Sequence, residues 1–566
     1  MVRIGVFICH CGTNIGGVVD VPKVVEYAKG LPGVVFAERN LYTCADDGLT
    51  AIKHAINEKD LDRVLVASCT PRTHEPLFRS ACEDAGLNPY LFEFVNIREH
   101  CSWVHMKIPE EATEKACELV RMGVSRATLL EPQEESKLEV KPPALVIGGG
   151  IAGMTSALSL ANQGFETHLV EKEAELGGMH RKLYKVFPTN KDAVEVLNQK
   201  VEAVKSNKNI RLHTSATLKD IEGYIGNFEV SLEEGGENIK FNAGVVIVAT
   251  GALEFEPEGM YGYGEYDNVI TQLQLETRMK EGKLGKPDKV VMIQCVGSRG
   301  SHFSYCSRIC CMVAIKNAMI IKEKNPDTTV YILHNGIQVY GVEYEELYRR
   351  AMASGIRFKK YTPDRPPEIT GDDGKLNVKY YHELMRKELE YPADLVVLST
   401  PLVQHQDGYD VSKMLRVPLG IKDRFFFEAH VKLRPVDFAT DGVFVCGSAH
   451  APKDIPESVS QALAAASGAA IPLSKGYVKV PAISSKVDEE VCVGCGLCVK
   501  ICPYQALSLV EDKLNIIEAL CKGCGACVAT CPTGALDQRH VQTNQIVAQI
   551  KSAFTYEERL IEVGGD

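Results

Sequence analysis

The stretch 144-ALVIGGGIAGMTSALSLANQGFETHLVEKEAELGG-178 decides the fold. It reads as a short apolar strand, a glycine-rich turn, an apolar helix and a second strand that ends at Glu171. Gly148, Gly150 and Gly153 form a G-x-G-x-x-G motif between the first strand and the helix. In this context the first glycine allows a tight turn, the second lets the backbone approach a pyrophosphate, and the third lets helix and strand pack closely. The stretch therefore predicts a dinucleotide-binding βαβ unit.

Further features favour FAD as the dinucleotide. The helix N-terminus faces the phosphates with its partial positive charge, and a carboxylate about 20 residues on, here Glu171, binds ribose hydroxyls. Two later stretches, VVIVATGA (245–252) and TDGVFVCGS (440–448), are typical of flavoproteins with two dinucleotide domains. They weigh against the alternative of a fold that holds NAD or no nucleotide. The predicted FAD-binding residues are Gly148, Gly150, Ile151, Ala152, Gly153, Glu171, Lys172, Gly177, Gly178, Ala249, Thr250, Gly251, Gly447 and Ser448.

A second nucleotide-fold-like unit begins near Lys289, but its nucleotide loop is missing. The strand KVVMI runs into QCVGSRGSHFSYCSRICCMVAIK (294–316), where only Gly297 and Gly300 are available for a second G-x-G-x-x-G. The stretch instead supplies four thiols, the number that an iron–sulfur cubane needs. We predict a [4Fe–4S] cluster here; a redox-active dithiol and plain buried cysteines are the alternatives. The predicted ligands are Cys295, Cys306, Cys310 and Cys311.

The segment CMVAIKNAMIIKEK (311–324) is predicted to be helical. Cys310 and Cys311 would then lie at a helix N-terminus, where the helix dipole lowers the pKa of a thiol. Lys316 lies about one turn beyond them. We predict Lys316 as a catalytic residue that reaches the N5 region of the flavin and stabilises its reduced form. The alternative is an exposed lysine on the helix surface.

Two copies of C-x2-C-x2-C-x3-C-P, CVGCGLCVKICP (492–503) and CKGCGACVATCP (521–532), stand near the C-terminus. In such runs three cysteines bind one [4Fe–4S] cluster and the fourth crosses to the other cluster. A zinc ribbon also uses C-x2-C, but not this doubled four-cysteine run with a following proline. The predicted sets are Cys492, Cys495 and Cys498 with Cys531, and Cys521, Cys524 and Cys527 with Cys502.

Residues 1 to about 130 alternate strands and helices, which predicts a small parallel sheet. Several cysteines follow its strands. Because the carboxyl ends of parallel strands share one edge of the sheet, we predict that these cysteines converge and bind a further cubane. Packing cysteines are the alternative. The candidate ligands are Cys9, Cys11, Cys44, Cys69 and Cys101.

Composition limits the class of protein. The chain has 566 residues, 45% of them hydrophobic, and a formal net charge of −11, which argues against nucleic acid as a partner. No stretch has the ~18 consecutive apolar residues of a membrane span, and the start is too short for a signal peptide. We therefore expect a cytoplasmic protein, where 20 cysteines favour metal or redox chemistry over disulfides.

The predicted fold class is α/β, with a thioredoxin-reductase-like core of two dinucleotide folds, a small N-terminal α/β domain and a C-terminal bacterial-type 2[4Fe–4S] ferredoxin domain. The FAD-binding domain is discontinuous, because its sequence pattern returns after the second dinucleotide fold. The predicted domains are 1–130 (N-terminal), 143–285 and 401–475 (FAD-binding), 286–400 (second dinucleotide fold), 487–538 (ferredoxin) and 539–566 (tail).

The order of motifs resembles the HdrA family, the A-type subunits of heterodisulfide reductases, along essentially the whole chain. The motifs are CHCG, LYTC, SCTPRTHEPLFR and FEFVNIREHCSWVH, then IGGGIAGM, QCVGSR, YCSRICC and CGSAHAPKDIPESVSQA, then the two ferredoxin blocks. The resemblance implies one cluster near the flavin, bound by Cys295, Cys306, Cys310 and Cys311, and one N-terminal cluster.

The resemblance also implies an activity and partners. In that family FAD bifurcates electrons from a hydrogenase or formate dehydrogenase, which acts through a small iron–sulfur subunit. One electron goes to ferredoxin and the other to B and C subunits, which in methanogens reduce the CoM-S-S-CoB heterodisulfide. A dimer of a hetero-oligomeric complex is expected.

One departure leaves an alternative open. Longer family members carry an extra ferredoxin domain within the flavin region, for which SLEEGGENIKFNAG (231–244) leaves no room. The chain could therefore be a conduit that conducts electrons without bifurcating them. A pyridine-nucleotide disulfide reductase fused to a ferredoxin is the third hypothesis, and it lacks its second G-x-G-x-x-G.

Overall fold

The structure is a computed structural model that describes residues 2–372, 375–480 and 482–563. The chain divides into two compact units, one made of residues 1–137 and 479–566 and the other of residues 138–478. The predicted tail, 539–566, is helical over Thr543–Val563, and its last three residues lie outside the described part. The finer domain boundaries given above stay predictions.

The first unit contains a parallel four-stranded sheet. Ile4–Cys9 is buried at every position, as expected of an apolar strand that is covered on both faces. All four strands end at one edge, and the candidate ligands Cys9, Cys11, Cys44, Cys69 and Cys101 lie at or after their ends. The strand order is Val34–Asn40, Ile4–Cys9, Arg63–Ser68 and Phe92–Asn96, and the helices are Val21–Lys29, Asp46–Glu58, Pro71–Asp84 and Pro109–Ala127, with a π-turn at Arg98–Ser102.

The C-terminal part of this unit holds the two cysteine blocks and the tail helix. The tail helix packs on Pro109–Ala127, and the side-chain amide of Gln545 donates a hydrogen bond to the Leu129 carbonyl oxygen at 3.0 Å. The ferredoxin motifs and the N-terminal sheet therefore belong to one folded body. The strands pair antiparallel as Ser485–Val487 with Leu536–Gln538 and Leu507–Val510 with Lys513–Ile516, and the short helices are Leu497–Ile501 and Ala526–Thr530.

The second unit contains two five-stranded parallel sheets of similar design. Their central strands are short, apolar and fully buried, as in Val245–Val248. The first has the order Val443–Val445, Val245–Val248, Ala144–Ile147, Thr167–Val170 and Ile210–His213, and the second has the order Val269–Thr271, Leu395–Leu398, Lys289–Ile293, Thr329–His334 and Arg357–Lys360.

Each parallel sheet is accompanied by a three-stranded antiparallel sheet. In the first, strands Asn227–Glu234 and Glu237–Ala243 are joined by Gly235 and Gly236, both with positive φ, in a two-residue hairpin turn. This turn lies within residues 231–244. The antiparallel sheets are Ala216–Tyr224, Asn227–Glu234 and Glu237–Ala243, then Glu368–Asp372, Lys375–His382 and Lys387–Ala393, with a ribbon of Ala252–Glu254 and Leu402–Gln404.

Helices cover the parallel sheets of the second unit. The helix that follows the glycine motif, Ile151–Asn162, is buried at eight positions, so it lies inside the unit. The helices are Ile151–Asn162, Ala193–Ser206, Gln272–Lys280, Cys310–Lys324, Val342–Ala353, Gly408–Leu415 and Ile455–Lys475, with 3-10 turns at Gly178–Lys182 and Gly447–Ala449; two further strands are Ser136–Glu139 and Tyr477–Val480.

This is the predicted α/β fold class, with two dinucleotide folds and a discontinuous first sheet. Val443–Val445 pairs in the first sheet, although it follows all five strands of the second sheet in the sequence. Across the described residues, the structure contains no helix that is long and apolar enough to cross a membrane.

Candidate flavin and iron–sulfur sites

The glycine motif brings separate parts of the chain to one point. A Cβ on Gly153 would overlap the carbonyl oxygen of Gly148, and one on Gly148 would overlap that of Ala249. Gly177 bridges to Gly150, and a Cβ on Gly447 would lie 2.7 Å from that of Ala152. Ala249–Gly251 and Gly447–Ser448, both predicted from the sequence, therefore lie against this loop.

The loop has the shape that a dinucleotide requires. A Cβ on Gly150 would meet no protein atom within 4 Å, so the backbone is open on that side. The Glu171 carboxylate is buried and accepts a hydrogen bond from the Gly149 amide at 2.8 Å. The hydroxyl of Thr250 is buried and has no partner among the described residues. These residues fit a bound FAD.

Lys172 takes a different position from the other predicted FAD-binding residues. Its ammonium lies 2.6 Å from the Asp407 carboxylate in an exposed ion pair, beside His405. The sequence prediction included Lys172 because it follows Glu171. Successive side chains along an extended chain point to opposite sides, so the side chain of Lys172 points away from that of Glu171. The role of Lys172 in FAD binding stays a prediction.

The second sheet ends in a pocket of cysteines. Cys295, Cys306, Cys310 and Cys311 all line it, at the carboxyl end of strand Lys289–Ile293. The backbone of Cys295 has φ +63°, which is rare for a residue with a side chain and is typical of functional sites. The structure thus brings together the four cysteines at the place where a nucleotide loop would lie.

Polar groups surround this pocket. The Cys295 thiol lies 3.2 Å from the side-chain oxygen of Asn335, which also accepts a hydrogen bond from Arg299 at 2.8 Å. Gln294 also lines the pocket; it is fully buried, and neither of its amide atoms has a partner among the described residues. Burying an amide without a hydrogen-bond partner costs folding free energy. The four thiols and the free amide of Gln294 therefore fit a bound group that the thiolates hold and that accepts a hydrogen bond.

The predicted pKa of the helix-start thiols is wrong in direction. Burial raises the pKa of Cys310 well above its ordinary value, and Cys311 and Cys295 raise it further. Burial likewise raises the pKa of Cys311 to about 11. Without a bound cluster, loss of solvation therefore outweighs the helix dipole, and a bound cation would favour the thiolate forms.

Lys316 is not the exposed lysine of the alternative interpretation. It is 4% exposed, and its ammonium lies 2.6 Å from the carboxylate of Glu276, which is 1% exposed. The ammonium also donates to the Lys185 carbonyl oxygen at 2.8 Å, while Glu276 accepts from the Tyr184 amide at 2.8 Å. The pair joins the helix behind the cysteine pocket to the segment that follows Gly177 and Gly178. Its catalytic role stays a prediction.

The ferredoxin module forms a second cysteine pocket. Three of its cysteines come from the second block and one from the first, which is the crossed arrangement expected of paired cubanes. The pocket is lined by Cys521, Cys524, Cys527 and Cys502, together with Ser485.

Glycines shape the loops of this module. Gly494 and Gly496 in the first block, and Gly523 and Gly525 in the second, all have positive φ. Glycine adopts this conformation without steric cost and lets the loop fold closely around a ligand. The loops fit two clusters, and the other predicted set comprises Cys492, Cys495, Cys498 and Cys531.

Four N-terminal cysteines converge at the edge of the first sheet. Burial and then the neighbouring Cys9 and Cys69 raise the pKa of Cys11, and the same causes raise that of Cys44. The hydroxyls of Thr43 and Ser68 are buried there without a partner among the described residues. This donor set fits a further cluster.

Cys101 does not join this group. Its thiol donates to the Ala112 carbonyl oxygen at 3.0 Å and packs in the hydrophobic core. Burial raises its pKa to about 11. The loop after Phe92–Asn96 turns into a π-turn, which directs Cys101 inward rather than toward the sheet edge. We therefore remove Cys101 from the candidate ligands.

None of these groups has the geometry of a single-ion site. Among residues 2–372, 375–480 and 482–563, no three His, Cys, Asp or Glu side chains are close enough to hold one metal ion. A cubane differs in this respect, because its thiolates bind separate irons at separate corners.

Two family profiles match parts of this chain. The profile of the pyridine nucleotide-disulphide oxidoreductase family matches residues 142–466, and that of the 4Fe-4S dicluster domain matches residues 491–535. Among solved structures, Lactococcus lactis thioredoxin reductase matches 59% of this chain and 100% of its own, with 18% identity and a TM-score of 0.43. The predictions of FAD and of a C-terminal [4Fe–4S] dicluster module are confirmed by the two profiles, while the flavin-side and N-terminal clusters stay predictions.

Curated relatives cover almost the whole chain. The A-type subunit of the H(2):CoB-CoM heterodisulfide,ferredoxin reductase of Methanothermobacter marburgensis is 43% identical over 647 aligned positions, 97% of this chain and 97% of the relative. An A-type iron-sulfur subunit of the CoB–CoM heterodisulfide reductase of Methanopyrus kandleri is 42% identical, over 90% of this chain and 91% of its own. This chain belongs to the HdrA family of heterodisulfide reductase subunits. As a member of that family it is a flavin-dependent iron–sulfur oxidoreductase.

The Methanothermobacter relative contains stretches that this HdrA homologue does not match. The alignment with the Methanothermobacter protein extends over 647 positions, more than the 566 residues here, so the relative carries stretches without a counterpart in this chain. Residues 231–244, where we predict that this chain lacks the extra ferredoxin domain, form the tight hairpin at Gly235 and Gly236.

Several residues of these sites escaped sequence reasoning. Gln294 and Ser485 line the two pockets, and Glu276 pairs with Lys316. Gln294 had one available signal, a polar residue directly after an apolar strand. Ser485 had another, its position in the repeat of the two ferredoxin blocks. Nothing in the sequence pointed to Glu276, because its partner lies 40 residues away.

Proposed function

We propose that this chain is the electron-bifurcating subunit of a heterodisulfide reductase complex. It takes electron pairs from a donor of the hydrogenase or formate dehydrogenase type. It delivers electrons singly to ferredoxin and to B- and C-type partner subunits that reduce a heterodisulfide, which is CoM-S-S-CoB in methanogens. The names of relatives support this assignment, since one belongs to an H(2):CoB-CoM heterodisulfide,ferredoxin reductase and another to an H(2)/formate:CoB-CoM heterodisulfide,ferredoxin reductase.

The cysteine pocket at the end of Lys289–Ile293 is the observation that carries the proposal. A nucleotide-dependent reductase of this fold needs a backbone cradle at that position, where this chain has four thiols. FAD, when bound, exchanges electron pairs and single electrons, whereas each iron–sulfur cluster carries one electron. Cys295, Cys306, Cys310 and Cys311 thus hold the first single-electron acceptor beside the flavin domain.

The electron balance requires two donor oxidations. They supply four electrons, of which two reduce ferredoxin one at a time. The other two, with two protons, break the S–S bond of the heterodisulfide and give two thiols. The favourable disulfide reduction drives the unfavourable reduction of ferredoxin.

We place the complex in the cytoplasm, as a dimer of hetero-oligomers. Twenty cysteines without a disulfide among the described residues suit a reducing compartment. Unit 1 carries two groups of cysteines, one from the N-terminal sheet and one from the ferredoxin module. Clusters at these two places would allow electrons to pass to two different acceptors.

The test is the coupling of the two acceptors in the purified complex. We expect ferredoxin reduction only when the heterodisulfide is also present, with equal numbers of electrons reaching each. Cys310→Ser should abolish both reductions while FAD stays bound. Cys117→Ser, a half-buried packing cysteine, is the control and should retain both. Reduction of ferredoxin without the heterodisulfide would contradict bifurcation.

The tight hairpin at 227–243 favours one alternative, a conduit without bifurcation. If the stretches missing from this chain carry one electron branch in the longer relatives, that branch must come from another subunit here. In that case the complex reduces one acceptor with no need for the other, and the same experiment distinguishes the two functions.

A further inference from the structure

The two ferredoxin blocks form a repeat that differs at one position beside a cysteine. Residues 485-SKVDEEVCVGCGLCVKICP-503 and 514-LNIIEALCKGCGACVATCP-532 align without a gap. Ser485 in the first copy therefore corresponds to Leu514 in the second, and each lies in the strand before its block. The internal symmetry makes each residue the natural reference for the other.

The structure places the Ser485 hydroxyl beside a cysteine sulfur. Its oxygen lies 3.1 Å from the sulfur of Cys527, and both residues are buried. Ser485 also lines the pocket formed by Cys521, Cys524, Cys527 and Cys502. Leu514, at the equivalent position, is an apolar side chain in the small core that contains both Cys498 and Cys527.

We propose that Ser485 makes the two ferredoxin clusters electrochemically unequal. The hydroxyl donates a hydrogen bond to the Cys527 thiolate, because a metal-bound thiolate can only accept. Reduction adds negative charge to a cluster, so a donor to its sulfur stabilises the reduced form and raises the reduction potential. Leu514 gives the other cluster no such donor. Ser485 thus sets which of the two clusters holds an electron more tightly.

The proposal is tested by redox titration of the purified full-length chain, followed by EPR spectroscopy. We expect Ser485→Ala to shift the midpoint potential of one ferredoxin component to a more negative value. Ser485→Thr keeps the hydroxyl and should titrate like the unmodified protein. Iron content, measured in parallel, should be the same in all three.

The reciprocal change tests the symmetry. Leu514→Ser should shift the midpoint potential of the other component to a more positive value. If Ser485→Ala fails to retain iron, Leu514→Ser is the variant that tests the proposal. An unchanged titration of Ser485→Ala, or a shift of the same component by both variants, would overturn the proposal. Neither result depends on bifurcation, since no acceptor is present.

A second observation, independent of the first, concerns Gln294. It is the first residue after strand Lys289–Ile293, lines the cysteine pocket beside Cys295, and has no exposed surface. The Tyr361 hydroxyl donates to its backbone carbonyl oxygen at 2.7 Å, which holds the chain in place. Its side-chain amide nevertheless has no partner among the described residues.

We infer that the Gln294 amide donates a hydrogen bond to the cluster held by Cys295 and its three neighbours. This inference rests on the proposed cluster at that pocket. The amide NH₂ is a donor that the protein leaves free, and the sulfurs of a cluster are acceptors. Gln294 is accordingly a positioning residue that raises the potential of the first acceptor beside the flavin domain.

Gln294→Met is the test, because methionine has a similar shape and no donor. We expect the midpoint potential of one cluster to become more negative while FAD content and iron content stay the same. Gln272→Met is the control: this second buried glutamine already bonds Ser399 at 3.1 Å and Asn317 at 2.8 Å, outside the pocket.

The outcomes separate the inference from the function on which it rests. An unchanged titration of Gln294→Met, with full iron content, would overturn the role of Gln294 alone. If the iron content of Cys310→Ser does not fall, the pocket binds no cluster. That result would overturn both the role of Gln294 and the proposed cluster on which it rests.

Discussion

At the scale of single residues, burial decides what each ionisable group can do. Lys316 and Glu276 are removed from water together, so each is held by the other. Breaking such a pair costs about 3–5 kcal/mol, because one charge stays buried without compensation. Sequence reasoning found Lys316 by its position after Cys311, but not the carboxylate that fixes it.

A pair of variants separates the catalytic role of Lys316 from a structural one. Lys316→Met should lower the stability of the protein by about 3–5 kcal/mol. The double variant with Glu276→Gln should regain most of that stability, since glutamine keeps an oxygen for the Tyr184 amide. Flavin reduction should stay about tenfold slower or more in both, equivalent to about 1.4 kcal/mol in the barrier.

The measurements are thermal unfolding and stopped-flow absorbance of the flavin. If the double variant reduces its flavin at the rate of the unmodified protein, Lys316 has a structural role only.

At the scale of elements, the glycine loop shows two different uses of one residue type. Gly153 is needed because helix Ile151–Asn162 lies directly on the backbone of Gly148, the residue after strand Ala144–Ile147, with no space for a Cβ. A Cβ on Gly150 would instead meet no protein atom within 4 Å. The G-x-G-x-x-G pattern therefore encodes both packing and ligand approach, and the structure shows which glycine does which.

Alanine substitutions at these two positions should fail in different ways. Gly153→Ala should destabilise the protein by about 1–3 kcal/mol through overpacking, and FAD is lost as a consequence. Gly150→Ala should leave stability unchanged but weaken FAD binding about tenfold or more, or about 1.4 kcal/mol, because its Cβ enters the space of the pyrophosphate. FAD titration and thermal unfolding check both. A stable Gly153→Ala protein with full FAD affinity would contradict this division.

At the scale of the whole molecule, unit 1 contains both ends of the chain. The link runs through His540, whose ring lies 3.0 Å from the guanidinium of Arg79 and edge-on to Tyr90. Arg126 bonds both the carbonyl oxygen of His540 and the buried carboxylate of Glu93. Folding of the ferredoxin module is therefore tied to the N-terminal sheet.

This link predicts a pH dependence of stability. Burial, and then Arg79 and Arg126, lower the pKa of His540 to about 3. The unfolded chain takes up a proton on His540 below about pH 6.5 while the folded one does not, so the stabilising contribution of His540 is complete above that pH. This contribution should fall by about 1.4 kcal/mol per pH unit as the pH drops from about 6.5 toward 3. The neighbouring Glu93, whose pKa burial raises to about 7, acts in the opposite direction between about pH 7 and 4.5.

The fluorescence of Trp103, the single tryptophan of the chain, reports unfolding of unit 1 between pH 5 and 7.5. His540→Asn should flatten the pH dependence, and asparagine tolerates the φ of +66° at this position. His54→Asn, on the surface of the same unit, is the control and should not. An unchanged slope in His540→Asn would contradict the assignment.

Iron content tests the sites of the whole chain at once. The ferredoxin module alone would give about eight irons, and the flavin-side and N-terminal groups about four more each. We expect about sixteen in the unmodified protein and about twelve in Cys44→Ser. Cys101→Ser should keep all sixteen, because Cys101 lies in the core; a loss of four irons there would restore it as a ligand.

The sequence by itself determined the elements and the chemistry. The hydrophobic period of strands and helices, the glycine spacing and the cysteine spacing are local properties of the sequence. G-x-G-x-x-G and C-x2-C-x2-C-x3-C-P therefore predicted FAD and paired cubanes without any knowledge of packing. Only the tertiary structure decided which distant groups meet. It turned Cys101 into the core and Lys172 to Asp407, paired Lys316 with Glu276, and raised the pKa of Cys310 against the helix dipole. Burial and long-range contact depend on the whole fold, and no short window of sequence carries them.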